Sequence, residues 1–157
     1  MAGRATHPLY AGKAVNVLLE TLFPVSYEGH NASLFFLGIC GVITLVTGLI
    51  HHFKHDGGAE SIAGLTLGDQ RELVIGVFGW LGATQISWGL LMLAVSLHYQ
   101  MLSPLLLLLI VLERSLLVWR WWVGNRGLRH RPPEHYASLV LLPAGGFFLS
   151  LALTKNA

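Results

Sequence analysis

Glu113 and Arg114 are the residues of this sequence best placed to do chemistry, because they are ionisable groups inside an otherwise apolar run from Ser103 to Trp122. In apolar surroundings a glutamate can donate or accept a proton, and an arginine can hold an anionic or carbonyl oxygen. Adjacent residues on a helix point about 100° apart and do not face each other, so each is expected to need its own partner. Gln85, at the middle of another charge-free run, is the candidate partner for Glu113, with Thr84, Ser87, Cys40, Thr44 and Ser115 at similar depths. No other apolar run contains an acid. Arg114 is therefore expected to reach backbone carbonyls, a hydroxyl, Glu113 after bending back, or another chain. Three uses fit the pair. It can be a polar clasp that fixes helix register, a contact with another subunit, or a binding or catalytic cavity lined by Glu113, Arg114 and Gln85. No cofactor is indicated.

Histidines make a second constellation. His51, His52 and His55 are followed in the same segment by Asp56, Glu60 and Asp69. Residues four apart share one helix face, so His51 and His55 are workable metal ligands, and Asp56 with His130 or His135 from a later segment could complete a site. The spacing matches no established metal motif, and a histidine at a helix C-terminus is favoured by the helix dipole with no metal present. A membrane b-haem would want histidines facing each other inside a bundle, whereas every histidine here falls in a loop or at the end of an apolar run. Cys40 is the sole cysteine, which excludes a disulfide within this sequence, a Cys-x-x-Cys pair and a thiolate zinc cluster.

Three further features carry weaker signals. Trp119, Trp121 and Trp122 crowd around Arg120, as in the aromatic belt of a headgroup boundary; a pigment or quinone could also stack there. Gly57, Gly58 and Gly64 make a supple loop but lack the Gly-Lys-Ser or Gly-Lys-Thr of a phosphate loop. Asn31-Ala32-Ser33 fits a glycosylation sequon, although Asn31 as the N-cap of a helix explains it fully.

The elements that must position these groups follow from the distribution of charge. Of 157 residues 54% are apolar and only 11% are charged, against about 25% charged in an ordinary soluble domain. Charge-free runs of 25, 40 and 20 residues separate Glu28 from Lys54, Glu72 from Glu113 and Glu134 from Lys155. About 20 apolar residues suffice to cross some 30 Å of hydrocarbon, so a water-soluble globular protein is excluded. The sequence predicts an all-α, integral membrane, up-and-down four-helix bundle with spans at about 33–51, 73–97, 103–122 and 136–153. Asp69 with Glu72 has the spacing of a capping box for the second span, and Ser103-Pro104 has the cap-then-proline order for the third. Gly57-Gly58 is expected to stop the first span, and Pro143 to kink the fourth. Gly38, Gly41 and Gly48 of span one, and Gly76, Gly79, Gly82 and Ala83 of span two, are expected to let helices approach closely.

Ahead of the first span, Val15, Leu18, Leu19 and Leu22 fall on one face of a helix at about 14–23, too short and polar to cross and suited to lying flat in the interface. Its interruption by Asn16 and Glu20 leaves no uninterrupted core for a removable signal peptide. Lys and Arg set the orientation. Lys54, Arg71, Arg120, Arg126, Arg129 and Arg131 lie on one side against Arg4, Lys13 and Lys155 on the other. That places loops 52–72 and 123–135 in the cytoplasm and both termini outside, in an inner or plasma membrane. It also gives the basic run a topogenic or headgroup role; a net charge of +2 argues against nucleic acid. Partners are expected to be the lipid bilayer and other membrane subunits or further copies of the chain. The leading expectation is an accessory or scaffolding subunit of a larger membrane complex. The alternatives are a membrane-embedded enzyme or carrier for a lipophilic small molecule near Glu113, Arg114 and Gln85, and a metal-binding protein using His51 and His55.

Overall fold

A computed structural model describes residues 17, 20, 26–124 and 131–155. Every regular element among them is helical: α1 (Asn31–Phe53), α2 (Arg71–Leu97), α3 (Ser103–Val118) and α4 (Pro133–Leu153). Short 3₁₀ turns, Gly68–Gln70 and Gln100–Leu102, lead into α2 and α3, and a π-helical turn, Trp119–Gly124, extends α3. With these turns included, all four helices are long and apolar enough to cross a membrane. The interfacial helix expected at 14–23 lies outside the described residues except for Val17 and Glu20, which are helical.

Each helix starts earlier or is capped differently than its sequence signals imply. His30, not Asn31, is the N-cap of α1. Its carbonyl accepts hydrogen bonds from the Tyr27 hydroxyl at 2.8 Å and the Ser33 hydroxyl at 2.6 Å, and its N–H donates to the Leu151 carbonyl at 3.1 Å. Asp69 is absorbed into the 3₁₀ turn, Gln70 is the N-cap of α2, and no side chain caps it, so the capping box does not form. Ser103 is the first residue of α3 rather than its cap, with Pro104 behind it in the first turn, where its missing N–H costs nothing. α1 ends at Phe53, ahead of Gly57 and Gly58. Those glycines instead supply positive φ, 61° and 78°, to a tight turn that folds back on the helix pair. α4 runs through Pro143 as one helix to Leu153.

The helices pack mainly as two antiparallel pairs, α1 with α2 and α3 with α4, while α2 and α3 meet only marginally despite their short connection. A buried cluster joins all four: Leu37 and Cys40 of α1, Met92 and Val95 of α2, Leu106, Leu107 and Ile110 of α3, and Ala152 of α4. Each of these residues lies in the half of its helix nearest the 98–102 turn. Toward the other end the pairs hold themselves together separately. α2 is the peripheral helix, with 11% of its most apolar stretch buried within the chain against 33% for α1.

The first pair is closed by backbone contact. A Cβ on Gly48 would lie 2.7 Å from the Ile86 nitrogen, one on Gly82 2.6 Å from the His52 nitrogen, and one on Gly89 2.7 Å from the Leu45 nitrogen. Ser96 finishes the seam by donating to the Leu34 carbonyl at 2.8 Å beside Gly38. Gly76 and Gly79 are not needed for this close approach, since a Cβ on either would meet nothing within 4 Å, although the Gly79 carbonyl meets His52 of α1, and Ala83 is exposed. The close-approach residues on α2 are Gly82 and Gly89, seven apart and matched to Gly41 and Gly48 on α1. A seven-residue spacing keeps small residues on one seam of a left-handed helix pair.

Candidate functional site

Arg114 is the centre of the one charged cluster within the paired helices among the described residues. Gly145 packs against Val111 and Ile110, which sets α3 level with α4 so that Arg114 lies about opposite residue 141. The guanidinium nevertheless reaches Ser138 at 3.3 Å and Glu134 at 3.1 Å, one and two turns closer to the start of α4. The side chain is thus stretched along the helix toward the end that carries Trp119 to Trp122, as long cationic chains do when apolar surroundings leave one polar direction. Its own side chain is 14% exposed, and Ser138, which also donates to the Glu134 carbonyl at 2.9 Å, is buried. Glu134 belongs to the first turn of α4, where a carboxylate is also favoured by the helix dipole.

Glu134 is the acidic partner that the sequence did not assign to Arg114. The apolar run starting at 136 left it in a loop, but the helix begins at Pro133 and brings it within reach. Pro132-Pro133 misleads because a proline that breaks one segment is also well suited to the first turn of the next.

Glu113 is placed differently. Its carboxylate lies 3.5 Å from the Arg114 guanidinium, so the neighbours do make an ion pair, but the glutamate side chain is 57% exposed. It shares an open face of α3 with Leu109, Leu112 and Leu116, all exposed. Gln85 is not beside it. Gln85 lies in the α1–α2 seam, where a Cβ on Gly48 would stand 2.9 Å from its own Cβ, and its Oε1 is buried with no hydrogen-bond partner among the described residues. Thr84, Ser87 and Ser115 return their hydroxyls to carbonyls of their own helices, at 3.2, 3.2 and 2.7 Å, and Cys40 is in the core.

The histidine constellation is distributed among separate partners. His51 Nδ1 donates to the Gly57 carbonyl at 2.6 Å and packs edge-on to Phe78, while His52 Nδ1 donates to the Gly79 carbonyl at 3.0 Å. His55 Nε2 accepts from Arg71 at 3.3 Å, and Arg71 pairs with Glu60 at 3.2 Å. Asp56 is a turn-former: Oδ1 accepts from the Gly58 N–H at 3.0 Å and Oδ2 from the Ser61 N–H at 2.8 Å. The Ser61 hydroxyl and these N–H groups, with Lys54 nearby, hold the Asp56 carboxyl well below the usual carboxylate range. His135 belongs to the other loop end, stacked on Trp121 with ring centroids 4.5 Å apart. Among the described residues no three His, Cys, Asp or Glu side chains converge on a position where they could hold a metal ion.

No family model matches this chain, and neither a curated protein nor a solved structure matches it. The site therefore has to be read from its own chemistry. That chemistry is a guanidinium held between two carboxylates, one partly exposed at the start of the facing helix and one presented on an apolar outer face.

Proposed function

We propose that this protein is an integral membrane protein whose four helices cross an inner or plasma membrane up and down, and that it serves as an accessory or scaffolding subunit of a larger membrane complex. The observation that carries this reading is the exposure of Glu113 midway along α3, among exposed leucines. A carboxylate facing hydrocarbon near mid-depth costs about 3 kcal/mol on insertion scales, so such a group is expected to face protein or water. Among the described residues its only ionic partner is Arg114, which is shared with Glu134. A helix of another subunit, offering a cation or hydrogen-bond donor at the same depth, completes the site. The basic loops, 52–72 and 123–135, face the cytoplasm in this reading, and the stretch of Arg114 toward the 119–124 turn agrees with that side being the nearer polar boundary.

A catalytic or carrier site built from Glu113, Arg114 and Gln85 draws less support, because Gln85 is engaged in a different helix seam. Replacing Glu113 by Gln in cells, followed by native mass measurement in mild detergent, separates the two. A scaffold loses its companion subunit, or its own further copies, while the chain remains folded. An enzyme assembles normally and loses turnover. Release of the wild-type chain as a discrete monomer with no companion would refute the proposal.

A further inference from the structure

The other unusual surface is the collar at the end of α3, where the π-helical turn Trp119–Gly124 meets the start of α4. Trp121 stacks on His135, and Trp122 packs edge-on to Tyr136 at 5.6 Å and donates from Nε1 to the His135 carbonyl at 3.2 Å. Two guanidinium groups are seated on these rings: Arg120 over Trp121 at 5.8 Å and Arg131 over Trp122 at 4.2 Å. Arg131 also donates to the Trp121 carbonyl, which ties its position to the turn. A π turn is a rare, strained way to prolong a helix and recurs at functional sites; here it sets consecutive ring-bearing residues, Trp121 and Trp122, against α4.

The sequence between the two ends of this collar is one-sided in charge. From Arg120 to Arg131 the sequence holds four arginines, Arg120, Arg126, Arg129 and Arg131, and no Asp or Glu. The two nearest glutamates, Glu113 and Glu134, are both engaged by Arg114, and among the described residues no carboxylate pairs with Arg120. Guanidinium groups match phosphate oxygens in a planar, bidentate way, and tryptophans hold such groups at the depth of lipid headgroups.

From this geometry we infer a binding site for the phosphodiester of an anionic phospholipid, with Arg120 and Arg131 contacting the phosphate and Trp121 and Trp122 framing it at the bilayer surface. The inference rests on the membrane placement proposed above but not on the docking role of Glu113, and the two are tested by separate residues. Net anionic charge distinguishes the ligand from a zwitterionic lipid, and the membrane-bound phosphodiester distinguishes it from free phosphate.

The test uses the full chain purified in a neutral detergent, with phosphatidylglycerol, phosphatidylcholine or inorganic phosphate added at equal concentrations and retained adducts counted by native mass spectrometry. The expected result is saturable retention of phosphatidylglycerol in preference to phosphatidylcholine, not displaced by inorganic phosphate. Arg120→Gln or Arg131→Gln weakens it about fivefold each, corresponding to about 1 kcal/mol per arginine near a headgroup. The double variant weakens it more than tenfold. Equal retention of both lipids by the wild-type chain overturns the inference without need of any variant. Displacement by equimolar inorganic phosphate overturns the lipid assignment, and unchanged phosphatidylglycerol retention in a folded double variant overturns the arginine assignment. Assembly with a companion subunit is unaffected by the double variant; loss of the companion on Glu113→Gln leaves lipid retention as it was.

Discussion

The two helix pairs of this protein solve the same problem with opposite chemistry. In α1–α2 the helices touch backbone to backbone at Gly48, Gly82 and Gly89; among the described residues no charge enters the helix seam, and polar bonds cross toward its two ends, from Ser96 to the Leu34 carbonyl and from His52 to the Gly79 carbonyl. In α3–α4 one arginine bridges to a glutamate and a serine of the facing helix, and one stacked and one edge-on ring pair close the end. Lipid tails give apolar side chains no reason to leave them, so association in a bilayer has to come from close packing or from polar bonds. One pair uses the first, the other the second. The first tolerates no added atom in its seam, and the second tolerates no lost charge. They share a common core only in the half nearest the 98–102 turn.

The sharpest way to break the comparison is to add bulk to the glycine seam. Gly82→Leu would place side-chain atoms where even a Cβ is 2.6 Å from the His52 nitrogen and 2.7 Å from the Gly48 oxygen. Backbone cannot yield as a side chain can, so a loss of about 3 kcal/mol is expected, read as a lowered unfolding midpoint in detergent. Arg114→Gln is next. It leaves Glu134 without its cation, but Glu134 is partly exposed, so the expected cost is about 1–2 kcal/mol by the same measurement. Gly76→Ala sharpens the comparison from the other side. Nothing lies within 4 Å of its Cβ position, and alanine is the better helix former, so stability should stay the same or rise by up to about 1 kcal/mol. An equal loss at Gly76 and Gly82 would contradict the seam.

The smallest effect concerns the 54–64 loop. Hydrogen bonds from Ser61 and Gly58 depress the folded-state pKa of Asp56 below that of the unfolded chain. Its contribution is therefore fully present above the ordinary carboxylate pKa of about 4 and is lost only as pH falls below it. Hydrogen exchange at the Gly58 and Ser61 amides should be equally protected, after correction for intrinsic rates, at pH 5 and pH 8. Asp56→Asn keeps one acceptor oxygen for two N–H groups, so at least one of the two amides should lose protection at either pH.

The number of apolar helices and their approximate spans could be read from the charge-free runs, because hydrocarbon length is a strict physical limit on sequence. The ends could not. Asn31, Asp69 and Ser103 all have cap chemistry, yet each helix begins where tertiary contacts or a 3₁₀ turn allow, as with the His30 carbonyl held by Tyr27 and Ser33. Arg114 was recognisable as a residue in need of a partner, but Glu134 was hidden because its helix starts three residues before the apolar run does. Of the small residues, spacing alone did not separate Gly82 and Gly89, where a Cβ would strike α1, from Gly76 and Gly79, where it would meet nothing; that distinction depends on the register of a partner helix. Gln85 and Glu113 each fall near the middle of an apolar run but not on a common face, and position along the run was all that composition offered.

In the proposed assembly, the exposed face of α3 around Glu113 is covered by another subunit in the native membrane. A photo-crosslinking side chain at Leu116, one turn from Glu113 on that face, tests it directly, with the same probe at Trp80 on the outer side of α2 as the contrast. A crosslink from position 116 to one defined protein, lost when Glu113→Leu is added, and crosslinks from position 80 to lipid alone are expected. Lipid crosslinks alone from both positions would contradict it.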